Sequence, residues 1–203
     1  MIQIRKGLTA MFNWLSFLTY ALVTTVTPGP NTIASMSGGS KNGFRKTLPF
    51  NFGVLAGVSV IMALCALFCS LLSSVLPKIR TPMLIIGAAY ILYLAWMTWR
   101  SGAVTEGEAP KGGFFSAVLL QFLNVKLILY GLVSMETYIL PYYQHNIPAL
   151  LGFSLLMATF CFAATLLWSA FGSAFKWLFA KHAKAVNLVM ALLLIYCAVS
   201  LFL

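Results

Sequence analysis

Thr27-Pro28-Gly29-Pro30-Asn31 lies inside an apolar run long enough to cross a bilayer. A helix in lipid must satisfy its backbone polar groups internally. Two prolines remove two N–H donors and clash with carbonyls one turn earlier, and the glycine between them loosens the backbone further. Such a break is tolerated at membrane depth only where protein or water covers it. Discontinuous helices of this kind build substrate and ion sites near the bilayer midplane. Asn31 follows at once and adds a polar handle. The alternative reading is a plain kink, which membrane helices also carry.

The rest of the chain supports a membrane reading. Of 203 residues, 61% are apolar and 8% charged, with no room for a separate soluble domain. The mean hydropathy is +0.94. This is a single integral membrane domain over 1–203, and an all-α one. The formal net charge of +10 comes from short basic clusters between apolar spans, which suits lipid headgroups rather than nucleic acid. Cys65, Cys69, Cys161 and Cys197 fall inside apolar spans with no metal or CxxC spacing and read as packing residues. Arg5 and Lys6 precede an apolar run, but that run continues to Met36, so it reads as a first span and not a cleaved leader. Met11 is an alternative start.

Charge-poor stretches define six spans, each near the ~20 residues a bilayer requires. They are Phe12–Met36, Leu48–Leu72, Pro82–Trp99, Phe114–Met135, Ile147–Phe171 and Ala185–Leu203. Ser37-Gly38-Gly39-Ser40, Pro77 and the Gly102-to-Gly113 stretch mark linkers. Loops 1–2, 3–4 and 5–6 together hold eight Lys/Arg, against four on the opposite side. The positive-inside rule therefore predicts periplasmic termini. Three spans followed by three spans run in opposite senses, the geometry of an inverted repeat over about 12–100 and 113–203. Pro28 and Asn124, 96 positions apart (124 − 28), are offered as its matching breaks.

Lys126 is the one Lys or Arg well inside a span. Burying it near the midplane costs roughly 2.5–3.5 kcal/mol on insertion scales, so it should face a wet cavity or the bundle interior. It can act as counter-charge for a substrate carboxylate or as a titrating group; snorkelling to the interface is the bland alternative. Asn31 and Asn124 are its expected companions, or bridge helices structurally. A helix N-terminus beginning near Asn31 would offer N–H groups to a carboxylate. Carbonyls around Thr24, Thr25 and Thr27 would accept bonds from an ammonium. Glu136 is a candidate proton site, or a solvated carboxylate at the end of the fourth span. Asn51 and Gln121 read as interhelical hydrogen-bond groups, and Gly53-xxx-Gly57 as a close-packing surface. Trp14, Trp96, Trp99 and Trp177 read as interface anchors. No nucleotide loop, catalytic triad or metal cluster is present in the sequence, so neither enzyme chemistry nor a cofactor is expected.

Thr27-Pro28-Gly29-Pro30-Asn31, the Lys41-Asn42-Gly43-Phe44-Arg45 loop and the Gly87-to-Trp96 stretch resemble the LysE/RhtB superfamily of bacterial amino-acid exporters. The resemblance covers nearly the whole chain. It implies secondary export of small amino acids from cytoplasm to periplasm across the inner membrane, driven by the proton gradient. Pro28, Pro30, Asn31, Asn124 and Lys126 are then motif positions, with Gly29 between them in the substrate site, and Lys126 and Glu136 are candidates for proton coupling. Many members carry Asn-Pro-Lys in the fourth span. Val125 replaces that proline here, so a less sharp break is expected at Asn124 than at Pro28. The stretch Gln121–Gly131 is similar to the branch that exports cysteine and O-acetylserine.

The expected partners are a small zwitterionic amino acid and the lipid bilayer. A homodimer is compatible with the sequence but no feature demands one. Two other classes stay open at this point: a small channel, which would not saturate or exchange substrate, and a non-transporting accessory subunit.

Overall fold

The computed structural model describes residues 12–100, 113–175, 177 and 181–200, and among these the secondary structure is helical with no strand. The N-terminal stretch with Arg5, Lys6 and Met11 and the linker with Glu106 and Glu108 lie outside the described residues. Helix α1 is Trp14–Val26, α2 Pro30–Asn42, α3 Phe44–Arg100, α4 Gly113–Leu123 and α5 Val125–Val133. A π-helical segment, Ser134–Ile139, leads into the short α6, Leu140–Tyr143. Helix α7 is Ile147–Ala174 and α8 is Ala183–Ser200.

Local chemistry sets several of these boundaries. Asn13 caps α1 by accepting from the Ser16 amide at 3.0 Å, and Asn146 caps α7 from Ala149 at 3.0 Å. Pro30 opens α2 at a position where its missing N–H costs nothing. Gly43, with φ +84°, ends α2 in a conformation that favours glycine. Lys41 in the last turn of α2 is half-buried, and burial lowers its ammonium pKa from the ordinary lysine value.

Pro77 does not mark the expected linker. Backbone helix continues through Pro77 and Pro82, and the kink falls earlier, at Phe68 (φ −115°, ψ 20°). A proline costs an interior helix one bond and bends it without obliging it to end. Phe68 divides α3 into a first limb, Phe44–Cys69, and a second, 70–100. Both limbs pack on α2. Ser35 of α2 donates to Asn51 Oδ1 of the first limb at 2.8 Å, while Ile33 and Met36 cluster with Ala88, Ile91 and Ala95 of the second. Asn51 and Ala88 are 37 residues apart (88 − 51), about 56 Å along a straight helix, whereas 13-residue α2 is only about 20 Å long. The two limbs must therefore fold back on each other.

Among the described residues, two helices are long and apolar enough to cross a membrane, Phe44–Cys69 and Ile147–Ala174. A third crossing is available if Gly113–Leu123 and Val125–Tyr143, bent by 63°, form one span. Leu15, Leu22, Val23, Leu119, Leu155 and Leu167 are exposed on the outer faces, as lipid-facing residues would be. Trp14, Trp96, Trp99 and Trp177 are exposed too, which suits interface anchors.

The main core joins Phe17 and Ala21 of α1 to Val54, Val58 and Met62 of α3, Leu127 and Tyr130 of α5, and Met157 and Cys161 of α7. Cys65, Cys69 and Cys161 are buried in it, as the packing reading expects. A smaller cluster joins α2, the second limb of α3 and α8. Glycines set the closest crossings. A Cβ at Gly53 would meet Ala117 Cβ at 2.8 Å, and one at Gly57 would meet Gln121 Cγ at 2.6 Å, so the Gly53-xxx-Gly57 surface carries the α3–α4 contact.

Candidate functional site

The first helix break forms as its residues require. Thr27 (φ −59°, ψ 143°) and Gly29 (φ −167°, ψ 178°) are extended between α1 and α2. The last carbonyls of α1 have no intrahelical donors there. Other parts of the fold supply them. Trp168 Nε1 of α7 donates to Val26 O at 3.1 Å. Lys126 Nζ of α5 donates to Thr27 O at 3.1 Å, Thr27 Oγ1 at 2.9 Å and Pro28 O at 3.3 Å. The lysine thus sits at the negative end of the α1 dipole. On the other side of the break, the Gly29 amide donates to Thr32 Oγ1 at 2.9 Å, and Thr32 Oγ1 donates back to Gly29 O at 3.1 Å. The next amides, of Asn31 and Thr32, belong to the first turn of α2, which has no preceding helical carbonyls.

The second break forms without a proline. α4 and α5 meet at Asn124 with a 63° bend. Asn124 (φ −85°, ψ 87°) is the N-cap of α5, and its side chain accepts from the Leu127 amide at 3.3 Å. A capping side chain can therefore start a new helix without a proline behind it. Asn124 is already outside the α region that a following proline disfavours, and Val125 is the first residue of α5. Val125→Pro is accordingly expected to shift stability by less than about 1 kcal/mol, read as Tm of the detergent-solubilised protein. A severe loss would show that the Asn124 break depends on the Val125 amide or side chain.

α2 and α4 are also joined by a reciprocal amide pair. Asn31 Nδ2 donates to Gln121 Oε1 at 2.7 Å, and Gln121 Nε2 donates to Asn31 Oδ1 at 3.1 Å. Gln121 Nε2 also donates to Ala117 O at 2.7 Å. Truncating one partner leaves the other unsatisfied, which costs about 1–3 kcal/mol, whereas removing both costs less than the sum. Asn31→Leu and Gln121→Leu should each lower Tm, and the double variant should recover part of the loss. Strict additivity would show that the pair is not energetically coupled.

Thr24, Thr25, Thr27, Gly29, Pro30, Asn31, Thr32, Asn124, Lys126, Leu127, Tyr130, Cys161 and Thr165 line one cleft, with about 400 Å³ of empty space including its open mouth. Asn31, Asn124 and Lys126 thus meet with Gly29 and Pro30, and Pro28 contributes its carbonyl to Lys126. A Cβ on Gly29 would lie 3.2 Å from Lys126 Nζ, so glycine leaves the lysine its place. Glu136 is elsewhere. It is exposed in the π-helical segment and lines a separate depression with Ala66, Leu67, Gln144 and His145. The Leu140 amide reaches back five residues to Met135 O, which generates the wider turn just before Pro141.

Tyr130 is a site residue that the sequence reading did not single out. It stands four residues after Lys126, a spacing that puts the two on one helix face. Its hydroxyl is buried with no hydrogen-bond partner among the described residues. Trp168 was missed as well, and nothing in the sequence tells which carbonyl its indole would reach. Among the described residues no group of His, Cys, Asp and Glu could hold a metal ion.

The LysE type translocator family matches residues 22–203. The chain belongs to that family. The match makes it a transport protein and not an enzyme, in keeping with its apolar helices. It is similar to the cysteine/O-acetylserine efflux proteins of Salmonella typhimurium (strain LT2) and Salmonella typhi, each 39% identical over 188 residues, 92% of this chain and 96% of the relative. The protein of the same name in Escherichia coli (strain K12) is 37% identical over 188 residues, with the same shares. No solved structure matches significantly. The translocator's cleft lies at the Pro28–Pro30 break, where the end of α1, the start of α2 and the α4–α5 break converge.

Proposed function

We propose that this translocator exports small neutral amino acids or their derivatives across the bacterial inner membrane, with cysteine and O-acetylserine as its substrates. The observation that carries the reading is Lys126 of α5 bonded to Thr27 and Pro28 at the α1–α2 break, inside a cleft that also holds Asn31 and Asn124. Carbonyl oxygens at the end of α1 suit an ammonium, and the first-turn amides of α2 suit a carboxylate. A zwitterionic amino acid carries both groups on one carbon. The names of the efflux relatives support the choice of substrate.

The proposed site consists of Pro28, Gly29, Pro30, Asn31, Asn124 and Lys126. Six spans in two inverted three-helix repeats, within one domain and with periplasmic termini, are the architecture we propose around it. The bends at Thr27–Gly29 and Asn124, near the start of each half, support the repeat. Transport then runs by alternating access, with the halves rocking about the fixed cleft. Proton coupling is assigned to Lys126 or to Glu136, and Glu136 would have to act from its separate depression.

Counterflow in proteoliposomes tests the function. Vesicles loaded with unlabelled cysteine or O-acetylserine should accumulate labelled substrate transiently and saturably. Linear flux without trans-stimulation would make the chain a channel. No flux with these or other small amino acids would remove the export reading.

A further inference from the structure

Lys126 occupies a cage with a second use. Its ammonium has three donors and no acceptor, and three oxygens meet it: Thr27 O at 3.1 Å, Thr27 Oγ1 at 2.9 Å and Pro28 O at 3.3 Å. These oxygens stand at the negative end of α1. The chemistry that recognises the lysine is that of any primary ammonium on an aliphatic carbon. An α-amino acid carries the same group. Two ammonium ions cannot share the cage, because like charges at contact distance repel strongly.

We propose that the Lys126 ammonium is a tethered competitor for the substrate's own ammonium, held in the subsite formed by Thr27 O, Thr27 Oγ1 and Pro28 O. The idea rests on the export reading for its substrate, but not for its chemistry. When an amino acid enters, its ammonium takes the three oxygens and Lys126 leaves on its flexible stem. The released ammonium is then free to pair with the substrate carboxylate at the first turn of α2. Tyr130 is an independent pointer to a ligand in the same cleft: its residue is 2% exposed and its hydroxyl has no partner among the described residues. A bound amino acid would satisfy that hydroxyl.

The device also gives the end of α1 a cation whenever no substrate ammonium is bound. It sets a specificity rule. Ligands without a primary ammonium, such as N-acetylated or deaminated analogues, cannot displace Lys126 and are excluded.

Alkylammonium binding to the full-length protein in detergent tests the proposal. Lys126→Ala vacates the cage, and ethylammonium chloride should raise its Tm saturably. Tetramethylammonium chloride, which cannot donate, should not. Wild type should need a much higher ethylammonium concentration for the same shift, because its own lysine competes for the cage. Amino-acid binding to Lys126→Ala should be competitive with ethylammonium. An unchanged Tm in folded Lys126→Ala, or non-competitive behaviour, would overturn the proposal. Lys126→Met keeps most of the stem and gives the same test with methylammonium if alanine folds poorly. Should either variant aggregate, alkylammonium in the solubilisation buffer is expected to restore folded yield, and no restoration counts against the cage. The thermal readout uses no transported substrate. Failure of cysteine or O-acetylserine counterflow would therefore sink the export reading alone, and failure of the ammonium shift the cage alone.

Discussion

Lys126→Met is expected to lower the rate of cysteine or O-acetylserine counterflow by about 10–100-fold while the protein still reaches the membrane, since the charged hydrogen bond that the released lysine would make to the substrate carboxylate is worth about 1.5–3 kcal/mol and about 1.4 kcal/mol is tenfold in rate. The variant loses the three bonds from Nζ to Thr27 O, Thr27 Oγ1 and Pro28 O. The carbonyls at the end of α1 then lose the cation that joined them to α5. The kinetic form of the loss matters. Without Lys126 the substrate ammonium loses its competitor and the substrate carboxylate loses its partner, so the two effects on KM oppose each other and the loss should fall mainly on kcat. Counterflow measured over a range of substrate concentrations separates the two. Full exchange with wild-type kcat and KM would discard Lys126 as a site residue. A rise in KM at unchanged kcat would make Lys126 a simple contributor to binding.

Replacing Gly39 or Gly172 by alanine should destabilise the fold by about 3 kcal/mol or more, at or beyond the upper end of ordinary overpacking. A Cβ at Gly39 would collide with the backbone oxygen of Ser169, and one at Gly172 with that of Met36. Each obstacle is helix backbone, so no rotamer change can relieve it. α2 and α7 would have to move apart. That movement would also disturb the Trp168 bond to Val26 O and with it the end of α1. Against a total stability of about 5–15 kcal/mol, such a loss is large. Gly152→Ala is the matched control. It lies in the same α7 with nothing within 4 Å of its added Cβ, and should be neutral or stabilising by up to about 1 kcal/mol through helix propensity. Tm and the monodisperse fraction on size exclusion in detergent measure all three. Equal behaviour of Gly39→Ala and Gly152→Ala would show that the α2–α7 crossing is looser than its geometry.

The interruption at Pro28 was legible because two prolines around a glycine remove two helical donors and loosen the backbone, and the sequence left only a break or a kink there. Asn31, Asn51 and Gln121 were legible as hydrogen-bond groups because an amide inside an apolar helix needs a partner. Which partner was not. Asn31 pairs with Gln121 rather than with Asn124, and Asn51 takes the Ser35 hydroxyl. The second break shows the converse. Without a proline the run Leu123-Asn124-Val125 reads as a softer break than the one at Pro28, and the bend comes from a cap that Asn124 makes only in the folded chain. Pro77 misled in the other direction, because proline weakens one helical bond wherever it falls, while the kink is set where the two limbs of α3 must fold back on α2. Glu136 was grouped with Lys126 as a titratable candidate, and the helical path puts it in another depression.

By itself the sequence determined that this chain is helical and membrane-embedded, that its first long apolar run is interrupted, by a break or a kink, at Pro28-Gly29-Pro30, and that Lys126 needs a polar surrounding. Those conclusions follow from local rules: missing donors, apolar length and the cost of burying a charge. Only the tertiary structure decided that the polar surrounding of Lys126 is the end of α1. That pairing spans 99 residues, from Thr27 to Lys126, and depends on helices brought together by glycine crossings and a shared core. A carbonyl left without a donor announces a need, and the fold alone selects the cation that meets it.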